Sequence, residues 1–312
     1  MCTAVGDNQK YSMFGRTLDA ECSYGERLVI TPRRFQISFL NEGKTYEHFA
    51  MLGVARVEDN QPLYFDGVNE RGLCAAALRF PNAAIYHEKS PGKHNVASFE
   101  LIPWVLCRCE TVEEAKALLS DTNVTDESFS DELAATPLHW MIFDGKYSIT
   151  VESTDNGLKV YDNEYGVLTN APSYPEQVRR VTDGLRQAPV RQAGIGEASV
   201  CLPGDMSSSA RFIRAAYTQF HTFPSESRLG SVSRFFHVMD SVSQASGVAI
   251  GSDGKPMRTV YTSCIDREGL VYYFTTYDCR KIRGVRLKNA YLDLEELAVF
   301  PMEREEWVHF LN

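Results

Sequence analysis

Strand-like runs in this chain arrive in hairpin sets, joined by turns too short to hold a crossover helix. LYFDGV and LCAAALRF flank the turn NERG, and TVYTSCI and LVYYFTTYD flank DREG. LHWMIFD, YSITVES and GLKVYD follow one another through GK and DNG. Turns this short join antiparallel neighbours, because a parallel pair needs a crossover of roughly a dozen residues or more. RLVITPR and HFAMLGVARV read as further early strands.

Helical patterns form separate blocks. One runs through SFELIPWVLCRC, and the next begins at Thr111, where TVEE reads as a capping box. Later, Pro175 suits a first helical position, and Val178, Val181 and Leu185 repeat at helical spacing. SARFIRAAYTQF and SVSRFFHVMDSV read as two more helices with serine caps. Hairpin runs separated by helix pairs predict an α+β chain rather than strict β-α-β alternation. Two stacked antiparallel sheets between helix layers suit that order.

At 312 residues the chain has the length of one large domain or two ordinary ones. No Gly/Ser/Pro linker divides it, so a single domain over 1–312 is expected. With 44% apolar and 23% charged residues it has material for a large core. A net charge of -9 argues against nucleic acid or an anionic membrane as a partner. No apolar run approaches the roughly 18 residues needed to span a bilayer, and MCTAVGDNQK has no basic n-region. The expectation is a cytoplasmic protein whose eight cysteines are reduced thiols. Cys107 and Cys109 form only C-x-C, and the seven histidines include no H-x-x-x-H. No metal or other cofactor is expected.

The opening MCT carries its own chemistry. Cys2 has a small side chain of the kind that lets an aminopeptidase remove Met1. The residue would then bear both a thiol and a free α-amine, groups that ionise near roughly 8.5 and 7.7–8.0. Such an amine serves as a local base for the thiol with no histidine partner. If the following turn centres on Asn8, hairpin partners sum to about 16 or 17, and Cys2 faces Phe14 or Gly15. Arg16 then lies one step further along, where a guanidinium favours thiolate. Asp19, just past the strand end, is placed to hold the ammonium or Arg16. The alternative is a frayed terminus with solvated charges.

Taken in order, MCT, FGRTLD, YFDGVNERGL, ALRFP, LHWMI, VLTNAP, LPGD, SARFIRAAY, YTSC and YYFTTYD resemble the choloylglycine hydrolases over nearly the whole chain. That family comprises bile salt hydrolases and penicillin V acylases, N-terminal-nucleophile hydrolases with a four-layer αββα fold. The resemblance implies that Cys2 is the nucleophile, and that Arg16, Asp19 and Arg211 are active-site residues. It also implies that the Asn170 amide donates to the oxyanion, a contribution of about 3 to 4 kcal/mol. Two buried guanidiniums need a carboxylate, and Asp19 is the expected partner.

The implied substrate is a small amphipathic N-acyl conjugate: a bile salt conjugated to glycine or taurine, with penicillin V or an N-acyl-homoserine lactone as alternatives. A catalytically dead relative that binds amphipathic acids is the rival from another class. Relatives usually carry Asn or Tyr where this chain has Arg79 in ALRFP. The Arg79 backbone N–H can still complete the oxyanion hole. Its side chain either meets an anionic group of the substrate or points to solvent. RQAPVRQAGIGEASVC is shorter than the family's Gly-rich assembly segment, so a homo-oligomer is expected but a tetramer is in doubt.

His139 and His237 read as hydrogen-bonded core histidines rather than bases. Cys74 and Cys264 read as small buried hydrophobes, and VYYFTTYD as inter-layer core. DESFSDE reads as a solvated loop or helix start. Neither GSDGK nor GIG is a phosphate loop.

Overall fold

The structure is a computed structural model that describes residues 1–187, 202–251, 254–302, 305–306 and 308–311. The segment on which the tetramer expectation rests, at 186–201, lies almost wholly outside them. Two sheets dominate. The first runs, in spatial order, Val167–Leu168, Cys2–Asp7, Met13–Ala20, Pro256–Asp266, Val271–Thr276 and Cys279–Arg286, with Ala249–Ile250 paired to Pro256–Asp266. The second runs Gly157–Asp162, Ser148–Thr154, Leu138–Phe143, Cys74–Arg79, Gln61–Asn69, Met51–Glu58, Arg27–Thr31 and Ala298–Phe300. Every pairing within both sheets is antiparallel, as the short turns require.

Period-two alternation sorts the second sheet between two apolar clusters. Cys74, Ala76 and Leu78 join the cluster shared with the first sheet, while Ala75 and Ala77 face helices Leu101–Leu106 and Val112–Ser120. Met141 and Phe143 likewise face inward, and Trp140 and Ile142 face those helices. A strand buried on both faces shows no polar alternation, which is why LCAAAL, up to Arg79, is apolar throughout. Helices Tyr174–Gln187, Ser208–His221 and Arg228–Asp240 cover the other side, with Phe212, Ala215, Val232 and Phe235 in the first cluster. Each large apolar side chain so buried contributes about 1.5–3 kcal/mol. The layers are therefore αββα.

Local signals hold with adjustments. Ser207 and Ser227 cap their helices by accepting from Ala210 N and Gly230 N. Thr111 Oγ1 accepts from Glu114 N at 3.2 Å, but Glu114 reaches back to Glu110 N rather than closing the box on Thr111. Pro175 is the second residue of its helix. His94–Ala97 and Thr122–Thr125 form a small parallel pair that the sequence reading lacks.

The first hairpin differs in register from expectation. Cys2 pairs with Leu18 and Ala4 with Arg16, so the turn occupies residues 8–12 rather than centring on Asn8. Gly6 and Asp7 remain in the strand for tertiary reasons. Gly6 lies where a Cβ would come within 2.9 Å of the Phe143 ring, and Asp7 forms a buried ion pair with Arg234. Both partners are distant in sequence, so local turn chemistry gives no warning of them.

Candidate active site

Cys2, Ala4, Arg16 and Leu18 share one face of this hairpin, because paired residues and those two apart point the same way. Cys2 and Arg16 are diagonal neighbours, and Arg16 Nη2 donates to Cys2 Sγ at 2.6 Å. Three more of the guanidinium donors are committed: Nη1 to Ala77 O at 2.6 Å and Phe65 O at 3.3 Å, Nε to Thr17 O at 3.2 Å. Arg16 is 1% exposed. Burial works against its charge, but Cys2, Tyr261 and Asp66 outweigh burial and move its pKa up.

Asp19 is not the ion-pair partner of Arg16. It lies within the strand rather than past its end, three residues from Arg16 and hence on the opposite face. Its carboxylate accepts from Thr259 Oγ1 at 2.7 Å, Gln244 Nε2 at 3.0 Å and Thr17 Oγ1 at 3.3 Å. What Asp19 does hold is the terminus: the Met1 amine donates to Asp19 O at 2.7 Å, and Asp19 N donates to Met1 O at 2.9 Å. Burial depresses the pKa of that amine, against the attraction of Cys2 and Asp19.

Arg211, on the helix Ser208–His221, approaches from the other side of the first strand. Its Nη1 donates to Cys2 O and, at 2.8 Å, to Thr3 Oγ1, while Nη2 donates to Asn170 Oδ1 at 2.7 Å. Burial lowers its pKa, with the charges of Asp19 and Cys2 pulling it back up. Asn170 Oδ1 also accepts from Cys2 N at 2.9 Å, and its Nδ2 donates to Arg79 O at 2.6 Å. The Asn170 backbone is fixed in turn, since Asn170 N donates to Ser208 Oγ at 2.9 Å and Ser208 Oγ accepts from Gln177 Nε2 at 2.8 Å. Arg16, Asn170 and Arg211 thus converge on Cys2, the Asp19 backbone holds Met1 while its carboxylate faces away, and the Arg79 carbonyl holds the Asn170 amide.

Beside Cys2 opens a cavity of about 320 Å³. Leu18, Leu63, Phe65, Phe99, Phe129 and Leu138 give it apolar walls, and Arg56 and Arg79 add guanidiniums. Arg56 is committed to Glu58 at 2.8 Å. Among the described residues, no hydrogen bond or ion pair engages the Arg79 guanidinium. Phe129 belongs to DESFSDE, so this acidic run is a loop that sends an aromatic ring into the cavity rather than a wholly solvated one.

His139 is a core histidine: fully buried, stacked on Phe80, and bonded to Thr169 O at 3.0 Å and Glu152 Oε1 at 3.3 Å. His237 is not; it stands exposed on its helix. Cys74 and Cys264 are buried, as are Tyr272 and Phe274 of VYYFTTYD. Among the described residues, no group of three or more His, Cys, Asp or Glu is placed to hold a metal ion, and no helix is long and apolar enough to cross a membrane. Sequence reasoning misses Gln244, Thr259 and Asp66. A carboxylate inside the apolar run of YFDGV was the available signal for Asp66.

Two antiparallel sheets between helix layers, with the first strand inside one sheet and its cysteine at a cavity, are the architecture of an N-terminal-nucleophile hydrolase. The chain belongs to the linear amide C-N hydrolases, choloylglycine hydrolase family, which residues 2–300 match. It is 38% identical over 324 residues to the bile salt hydrolase/transferase of Lactiplantibacillus plantarum, with 100% of each chain covered. It superposes on a mutant conjugated bile acid hydrolase from Clostridium perfringens with a TM-score of 0.90 and 30% identity, again over 100% of both chains. Penicillin V acylase from Agrobacterium tumefaciens shares the fold, with a TM-score of 0.78 at 21% identity over 96% of this chain and 90% of that one.

Proposed function

We propose that this amide hydrolase, once Met1 is removed, cleaves conjugated bile salts with Cys2 as nucleophile. The relatives named for bile salts support the substrate, and the apolar cavity beside Cys2 suits a steroid acyl group. The observation that carries the catalytic reading is that Arg16 meets the sulfur of Cys2 and Asn170, itself held by Arg211, meets its nitrogen.

The Cys2 thiolate, with Arg16 against the sulfur, attacks the amide carbonyl carbon. Charge develops on the carbonyl oxygen, where Asn170 Nδ2, with one hydrogen on Arg79 O and one left over, and the Arg79 N–H serve as donors. Collapse of the tetrahedral species expels the amine, which takes a proton from the Cys2 ammonium, and leaves a Cys2 thioester. The Cys2 α-amine, left neutral, takes a proton from water as the water oxygen attacks the thioester. The acid departs and the thiol is restored. Asn170 Oδ1 and Asp19 O, which accept from Cys2 N and the Met1 amine in the unprocessed chain, aim the new terminus.

The Arg79 guanidinium is the natural partner for the carboxylate or sulfonate of the departing glycine or taurine. We read residues 1–312 as one domain, because the C-terminal strand Ala298–Phe300 completes the second sheet. A cytoplasmic setting fits the thiols of Cys107 and Cys109, which burial pushes up to about 12. Assembly as a homo-oligomer belongs to the same reading.

The test is hydrolysis of glycocholate, taurocholate, penicillin V and an N-acyl-homoserine lactone by protein whose N-terminus has been checked by intact mass. Release of glycine or taurine is expected. Turnover of penicillin V or the lactone alone would replace the substrate, and no turnover by processed protein would leave a binder of amphipathic acids.

A further inference from the structure

Arg16 is a buried cation whose expected carboxylate, Asp19, faces away. Another carboxylate approaches from the opposite sheet. Strand Gln61–Asn69 carries a bulge: Val54 pairs with Asp66 and Ala55 with Tyr64, leaving Phe65 unpaired. The bulge turns the Phe65 carbonyl toward Arg16 Nη1 and its ring toward the cavity. The next residue, Asp66, is 0% exposed and accepts from Tyr261 Oη at 2.6 Å and Tyr272 Oη at 2.5 Å. Both tyrosines belong to the same sheet as Arg16 and are fully buried.

We propose that Asp66, held by Tyr261 and Tyr272, is the counter-charge and positioning residue for Arg16, and through it for Cys2. With a hydroxyl donor on each carboxylate oxygen, the charge is fixed in place rather than free to swing onto the guanidinium. Arg16 is therefore left to spend Nη2 on the sulfur while its charge is balanced from behind. Burial pushes the Asp66 carboxyl up, and Arg16 and the two hydroxyls pull against it. A cation and an anion buried together tolerate joint loss better than the loss of one, because a single deletion strands the other charge.

The inference rests on the hydrolase reading only for its kinetic arm. Arg16→Gln, Asp66→Asn and the double variant are compared by thermal unfolding of the intact chain. Each single change is expected to lower Tm, and the double variant to melt at least ~3 °C above R16Q. D66N is expected to lower kcat about tenfold or more with KM within about threefold. A purely structural Asp66, acting only as acceptor for the tyrosines, predicts additive losses in Tm, and additivity overturns the proposal. Should D66N alone fail to fold, a folded double variant supports the proposal and an unfolded one overturns it. Absence of turnover in the processed parent protein would count against the hydrolase reading, while the Tm comparison would still decide the role of Asp66.

Discussion

Cys2 N donates to Asn170 Oδ1 at 2.9 Å, joining residues 168 positions apart. The same Asn170 oxygen accepts from Arg211, and the same amide donates to Arg79 O. One side chain thus ties the first strand, the helix Ser208–His221 and the strand Cys74–Arg79 to a common point. Replacing Asn170 with Ala is expected to lower kcat by roughly a hundredfold or more, the loss of an oxyanion donor, and to cost about 1–3 kcal/mol of stability through the stranded buried partners. Steady-state kinetics and denaturant unfolding check both. A rise confined to KM would make Asn170 a substrate-positioning group.

Removal of the sulfur separates chemistry from folding. Cys2→Ala is expected to abolish turnover while the protein keeps its fold and binds substrate, since the substitution deletes one small atom from a cavity wall. Activity assays paired with circular dichroism and calorimetric titration measure this. Near-normal turnover would overturn Cys2 as nucleophile.

Arg79 offers a test of selectivity. Arg79→Asn is expected to reduce kcat/KM for taurocholate and glycocholate about tenfold or more, while the neutral ethanolamide of the same acid is cleaved at a rate within about threefold of the parent, because a screened charge contact contributes on the order of 1–2 kcal/mol. Equal losses on anionic and neutral amides would place the residue outside recognition of the anion.

Glu100 predicts a pH dependence of stability. Burial, resisted by hydrogen bonds from Leu40 N and Ala97 N, raises its pKa to about 7. The folded state therefore holds a proton that the unfolded chain, with a glutamate near roughly 4.3, has lost. The associated stability is fully present below that lower value and is lost as pH rises to about 7. Tm is expected to fall across this window, and Glu100→Gln to flatten the slope. An unchanged slope in the variant would assign the dependence to other groups.

Much of this architecture is legible in the chain because short turns and helix caps are local. GK, DNG, NERG and DREG force antiparallel neighbours wherever they occur, and Ser207 and Ser227 cap as their types suggest. What escapes a linear reading depends on distant partners. The first hairpin takes its register from Phe143 and Arg234, and Asp19 faces away from Arg16 because the strand runs on through it to Ala20. Asp66 is visible as an acid in an apolar run, but its alignment with Arg16 depends on a bulge and on two tyrosines some two hundred residues later, separations of 195 and 206 positions. His237 shows the opposite error, since an amphipathic helix presents one face to solvent whatever its neighbours in sequence.

The first strand pairs with Val167–Leu168 on one side and, through Met13–Ala20, lies next to Pro256–Asp266. During synthesis the thiol is made well before Tyr261 and Tyr272, the tyrosines that hold Asp66. A growing chain consequently carries an unassembled centre until the hairpin Pro256–Thr276 has been made.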